Sequence, residues 1–227
     1  MEKHTLHRAG AIFAGLGVIV TGISYGIHPA LGDPAAFLPV VAGSAYFANV
    51  HWGLIIGMVL MQFGFAAVTL TLRERPAQND AGGWAQLGLY TLLVGLALWI
   101  GVYAAEVALK PLADGMRTDP TLTSGARALA GLVDAGGTAA SFVYALGIAL
   151  LGAALLVSGR YPRWMGAGGL VLGAVLGLGI GLPRMFLGKS AWTEKIGSPI
   201  FATLLLAWVF VLGVMLWRQA GAGQLRR

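Results

Sequence analysis

The chain has 227 residues, 57% of them hydrophobic and 11% charged, with a formal net charge of +6. A soluble domain carries roughly 25% charged residues, so a water-facing surface could not be covered here, and a single membrane domain over residues 1–227 fits the length. Cysteine is absent, which excludes disulfides, thiolate metal sites, iron–sulfur clusters and cysteine nucleophiles. The basic residues are spread over the loops, as membrane orientation requires, and do not point to nucleic acid.

Six apolar segments are predicted to span the bilayer, at residues 9–28, 48–72, 84–109, 130–157, 164–183 and 199–217. Each is near or above the ~20 residues that cross ~30 Å of hydrocarbon at 1.5 Å per residue. In lipid the backbone must satisfy its own hydrogen bonds, so the spans are helices and the fold is an all-α, polytopic bundle.

Span one follows Lys3 and Arg8 and carries Gly22 and Gly26. Its apolar stretch is long for a signal peptide, so it is expected to stay as a helix. His4 and His7, one turn apart ahead of it, offer two ligands and no third, and are expected to be solvated. The next loop, 29–47, holds Pro29, Pro34 and Pro39 among apolar residues and is expected to lie on the bundle or in the headgroup layer. Span two opens with His51, carries Gly53 and Gly57, and has Gln62 near its middle, placed to bond between helices. Span three starts at Trp84; Glu106, 22 residues on, lies about 33 Å along the helix, at the far boundary. Span four begins near Arg127 and has Asp134 in its first turns.

With the N-terminus inside, the cytoplasmic segments hold Lys3, Arg8, Arg73, Arg75, Arg160, Arg163, Arg218, Arg226 and Arg227, nine bases. The outer segments hold six: Lys110, Arg117, Arg127, Arg184, Lys189 and Lys195. This positive-inside bias places both termini in the cytoplasm. Trp84, Trp164, Trp217 and Tyr161 then form an interfacial belt at the cytoplasmic ends. The outer loops are the longer ones, which puts any functional elaboration on that face.

Residues 144–182 read YALGIALLGAALLVSGRYPRWMGAGGLVLGAVLGLGIGL, two glycine-rich helices joined by a tight Arg-Tyr-Pro-Arg-Trp turn. This pattern resembles small six-helix bacterial membrane families of unknown function. The resemblance implies a six-span fold in a bacterial cytoplasmic (inner) membrane and carries over no functional residues. Within it, Gly169, Gly173, Gly177 and Gly181 recur every four residues, the spacing of a groove into which a neighbouring backbone fits.

Ionisable groups inside a membrane are costly and are functional candidates by default. Here His28, His51, Glu106, Arg127, Asp134 and Arg184 form a polar collar at the outer level, whereas the midplane offers only Thr21, Gln62, Tyr90, Thr91, Ser141 and Tyr144. That distribution argues against an ion-coupled transporter, which places charge or unwound backbone near the midplane. The collar admits four readings. It anchors helix ends by mutual pairing; it lines a pocket for a lipid, quinone or pigment; His28 and His51 are axial ligands of a b-type haem; or Glu106 and Asp134 are an acid/base pair acting on an isoprenoid or lipid. There is no phosphate-binding loop, HExxH or nucleophile elbow, and Gly166-Ala-Gly-Gly169 follows no strand. The expectation is a non-catalytic binding or accessory protein, either a subunit of a larger membrane complex or a binder of a lipophilic ligand. An intramembrane enzyme is the alternative, and a transporter comes third.

Overall fold

The computed structural model describes residues 3–29, 37–73, 80–177, 186 and 197–222. The described chain is all-helical: α1 (Lys3–Gly26), α2 (Phe37–Gly43), α3 (Phe47–Arg73), α4 (Ala81–Gly115), a 3-10 turn (Pro120–Leu122), α5 (Thr123–Ser158), α6 (Arg163–Val171) running into a π-helical turn (Leu172–Gly177), and α7 (Ser198–Ala222). Five of these helices, α1, α3, α4, α5 and α7, are long and apolar enough to cross a membrane. The predicted span at 164–183 is described only as far as Gly177, as α6 and the π-helical turn. Gly181, Arg184, Lys189, Glu194 and Lys195 lie outside the described residues.

The helices form a ring. α1 packs on α3, α3 on α4, α4 most extensively on α5, α5 on α6, and α7 closes the circuit between α1 and the α6 segment. Bulky side chains fill its interior: Phe65, Leu92, Ile148, Leu151, Leu155, Met165, Leu212 and Leu216 are buried. Apolar packing between helices gains little over lipid contact, so association depends on close backbone approach and interhelical hydrogen bonds. Both are present. Gln62 donates to the Tyr144 hydroxyl at 3.3 Å between α3 and α5, and Trp208 donates from Nε1 to the Met165 carbonyl at 2.9 Å, tying α7 to α6.

Glycine sets the backbone distances. A Cβ placed on Gly95 would stand 2.8 Å from the Tyr144 nitrogen, and one on Gly88 2.9 Å from that of Leu151, so α4 lies directly on the α5 backbone. The four-residue glycine run works as expected over its described part: a Cβ on Gly169 would meet the Trp208 ring at 2.5 Å, and one on Gly173 would overlap the backbone at Ala149. The α1–α3 contact differs from expectation. Gly26 has open space around it and Gly22 only a loose neighbour, whereas a Cβ on Gly17 would stand 2.7 Å from the Gly57 carbonyl oxygen. The α1 groove thus sits nearer the helix middle than the Gly22/Gly26 pair.

The expected cytoplasmic end is held by polar contacts around one tight turn. α5 stops at Gly159, whose φ of 61° suits a residue without a side chain, and α6 begins after Pro162. Arg160 donates to the Thr71 carbonyl, and the Tyr161 hydroxyl meets that of Thr71 at 2.9 Å. Trp84, Trp164 and Trp217 are exposed as a belt requires, but Tyr161 is buried at 4% exposure and is an interhelical strut. His7, expected in solvent, is also buried: it faces inward from the first turns of α1.

At the opposite end, α2 lies on α4, as the apolar loop composition led us to expect. Phe37, Val41 and Phe47 join Leu109, Ala113 and Ala126 in a small second core, separate from the main one. Lys110 fastens this cap, donating to the Ala42 carbonyl at 3.3 Å and to Asp114 at 2.6 Å.

Gly173→Leu should destabilise the protein by about 1–3 kcal/mol or more, because overpacked groups must displace a backbone. Val175→Leu, on the exposed side of the same turn, is the control and should be neutral. Thermal unfolding in detergent decides it; a harmless leucine at 173 would mean that this face does not carry the packing.

Candidate functional site

The site begins with two histidines that the α1–α3 contact brings together. Ser24 and Thr21 of α1 lie against Gly53 and Gly57 of α3, with no room for a Cβ at either glycine. The end of α1 is thereby pressed onto the start of α3. His28, just past α1, meets His51 of α3 with Nε2 facing Nε2 at 3.2 Å and ring centroids 4.9 Å apart.

Each ring is held from behind. His51 donates from Nδ1 to the Phe47 carbonyl at 2.6 Å, one helical turn earlier, and His28 donates from Nδ1 to the Pro29 carbonyl at 2.8 Å. α4 supplies the third group: Glu106 Oε2 stands 3.0 Å from His51 Nε2. That contact is close but is not aligned as a directed hydrogen bond. His51 is fully buried and Glu106 is 7% exposed, whereas His28 is half-buried. Burial, followed by the neighbouring His51, lowers the pKa of His28 below the ordinary imidazole value.

Aromatic rings enclose the cluster. Phe47 lies 4.3 Å from the His51 ring and Tyr103 5.7 Å from it, Trp99 stacks on Tyr103 at 4.9 Å, and Tyr25 stacks on His28 at 6.5 Å. These were not singled out from the sequence. Tyr103 and Trp99 could have been, since they precede Glu106 by three and seven residues and share its helix face. The Phe47 carbonyl carried no sequence signal.

The collar is therefore split. His28, His51 and Glu106 come together, and the two short contacts that join them involve neither Arg127 nor Asp134. Both of those lie on α5, which starts at Thr123 and so carries Arg127 within the helix and not on a flank. Arg127 is exposed and Asp134 half-buried, its backbone carbonyl accepting from the Thr138 hydroxyl at 3.0 Å. Arg184 is outside the described residues. Among the described residues, the partner of Glu106 is a histidine from another helix, and the expected acid/base pair with Asp134 is not formed by these contacts.

The haem expectation does not survive this geometry. Two axial ligands must stand on opposite faces of a macrocycle, and imidazole nitrogens 3.2 Å apart leave no gap for one. Among the described residues, no group of three or more His, Asp or Glu is arranged to hold a metal ion. Nearby, a cleft of about 400 Å³ opens between α2 and α4, lined by Leu38, Ala42, Ala113, Met116 and Arg117.

Outside the helices, Asp119 accepts from the Thr121 backbone nitrogen at 2.9 Å and its hydroxyl at 2.6 Å, opening the 3-10 turn. These bonds lower the Asp119 pKa. This is a capping role, and Asp119 is no part of the cluster.

His51→Ala should destabilise the fold by about 3–5 kcal/mol, since it leaves a buried carboxylate without its partner. Adding Glu106→Gln to that variant should restore part of the loss, a coupling of about 0.5–3 kcal/mol. Unfolding of the two single variants and the double variant in detergent measures it, and strict additivity would show that the pair does not interact. Comparison with family models, curated proteins and solved structures returned no match.

Proposed function

We propose that this is a six-span protein of a bacterial inner membrane, with both termini cytoplasmic, that binds a lipophilic ligand with an uncharged polar head at the His28–His51–Glu106 cluster in its outer half. The observation that carries the reading is the cluster itself. Three ionisable side chains from three chain segments meet within 3.2 Å in an otherwise apolar bundle. One of them, His28, is reachable from the surface.

The chemistry narrows the ligand class. A histidine pair beside one carboxylate is balanced or nearly so in charge, and no lysine or arginine joins its short contacts. Among the described residues, a phosphate head would find no lysine or arginine there to pair with. A quinone-type carbonyl or hydroxyl needs only a directed hydrogen bond, which the half-buried His28 would supply in exchange for one of the two its ring now makes, to the Pro29 carbonyl and to His51. Exposed Tyr25 stacks on His28, and exposed Tyr46 and Trp52 adjoin Phe47 and His51 in the sequence, an aromatic surface suited to a bilayer boundary. These features support a binding or accessory role, alone or within a larger membrane complex.

The contact between His51 and Glu106 also favours a second reading, an intramembrane enzyme in which this pair serves as acid and base toward an isoprenoid or lipid. The site is the same; what differs is turnover.

A short-chain benzoquinone titrated into the protein in lipid nanodiscs should quench tryptophan fluorescence saturably, since Trp99 is one ring away from His51. His28→Leu should weaken binding tenfold or more, the loss of about one good hydrogen bond. Unsaturable quenching, identical in the variant, would dispose of the quinone reading. Conversion of an isoprenoid substrate, abolished by Glu106→Gln, would instead establish the enzyme.

Topology has its own test. A tag at Gln78 should be protected from an impermeant label applied outside intact cells, and one at Thr118 should react. The reverse pattern would invert the orientation and move the cluster to the cytoplasmic half.

A further inference from the structure

Both histidines have one ring nitrogen already committed. The Phe47 and Pro29 carbonyls lie 2.6 Å and 2.8 Å from Nδ1 of His51 and of His28. A carbonyl can only accept, so each Nδ1 carries a proton. A neutral imidazole has only one, which would leave both Nε2 atoms as bare lone pairs. Yet these two nitrogens face each other at 3.2 Å, and the Glu106 oxygen is 3.0 Å from that of His51. With no further proton, three acceptors would crowd one buried space without a hydrogen bond among them.

One proton resolves the conflict, and only one position resolves all of it. On Glu106 it would serve the carboxyl–His51 contact but leave the His28 lone pair against a nitrogen already engaged. On His28 it would serve the histidine pair but set an anionic oxygen against the His51 lone pair. On His51 Nε2 it donates toward His28 and places a positive ring beside the carboxylate. We infer that His28, His51 and Glu106 form a one-proton site, with His51 held as imidazolium between a neutral His28 and an ionised Glu106, and that this proton exchanges with the outer face through His28.

The alignment of the contacts agrees. The His28–His51 pair meets hydrogen-bond geometry, whereas Glu106 Oε2 is close but off line, as expected if the N–H aims at His28 and the carboxylate supplies charge. The lowered pKa of His28 accords with its being the neutral ring.

Transfer needs no ring rotation, since His51 takes up and gives up the proton at the same nitrogen. When the His51 Nε2–H bond breaks toward Glu106, an O–H bond forms on the carboxyl group, and His51 is left neutral with its Nδ1 proton still on the Phe47 carbonyl. When it breaks toward His28, that ring becomes the imidazolium at the half-exposed edge; exchange is completed when its Nδ1 proton leaves the Pro29 carbonyl for water at the surface, and uptake retraces the same steps. Among the described residues, the titratable groups whose rings meet the cluster are Tyr25 from α1 and Tyr103 from α4. α2 carries no titratable side chain, and on α5 Asp134 is the half-buried group nearest this level of the sequence collar. The inference concerns the cluster alone and stands whether or not a quinone binds.

The test is nitrogen NMR on the full-length protein, labelled at histidine and held in lipid nanodiscs at neutral pH. His51 should show two protonated ring nitrogens, and His28 one protonated and one bare nitrogen. Assignment comes from the signals lost in His51→Gln and in His28→Phe. Infrared difference spectra between the wild type and Glu106→Gln should show loss of a carboxylate band and no carboxylic acid band. A bare Nε2 on His51, or an acid band belonging to Glu106, would overturn the assignment. Should His51→Gln fail to fold, Glu106→Gln serves in its place: with the counter-charge removed, His51 should be found neutral at the same pH, and an unchanged imidazolium would refute the coupling. His28→Phe should slow exchange of the buried proton at least tenfold; unaltered exchange would refute the route through His28.

Discussion

Close approach of helix backbones is the constraint on which this protein rests. In lipid, burying a leucine against another helix gains little over leaving it in the hydrocarbon, so the bundle relies on positions where a side chain is missing. Between α4 and α5 these are Gly88 and Gly95; between α5 and the α6 segment they include Gly169 and Gly173; between α1 and α3 they are Gly17, Gly53 and Gly57. The last set matters twice. Seating Thr21 and Ser24 against glycine draws the end of α1 onto the start of α3, and His28 and His51 then meet at hydrogen-bonding distance. A bulkier contact below them would part the rings and dissolve the cluster.

The cluster is also sheltered. Phe47 contributes its ring to the wall around His51 and its carbonyl to the His51 Nδ1 proton, and the same residue belongs to the small core under α2. Cap and site are therefore one unit. Lys110, one turn beyond Glu106, is drawn away from the carboxylate by Asp114 and by the Ala42 carbonyl. Among the described residues, this leaves His51 as the partner of Glu106.

The distribution of polarity follows the same logic. Near the middle of the bundle the polar contacts are uncharged, as with Gln62 and Tyr144, and their role is cohesion. Charge is confined to the ends, where desolvation is smaller. One end is polar for structure, through Arg160, Tyr161 and Thr71. The other holds side chains that can change protonation state.

The sequence alone determined the membrane class, the helical fold and most helix positions, because composition and length are set by the bilayer and need no tertiary partner. It also placed His28, His51 and Glu106 at one depth, since rise per residue converts position into height. It could not say which way each residue faces around its helix. Depth is a property of one helix; azimuth depends on how neighbours pack. Thus Asp134 shared the level of Glu106 and yet it is His51 that Glu106 meets, and Tyr161 left the expected belt for the interior. The glycines of α1 show the same limit: Gly22 and Gly26 have the right spacing, but the contact is made at Gly17, where α3 crosses. Only the tertiary structure decided that two backbone carbonyls would each hold an Nδ1 proton and turn both Nε2 atoms toward one another, because that arrangement depends on where the ends of three helices meet.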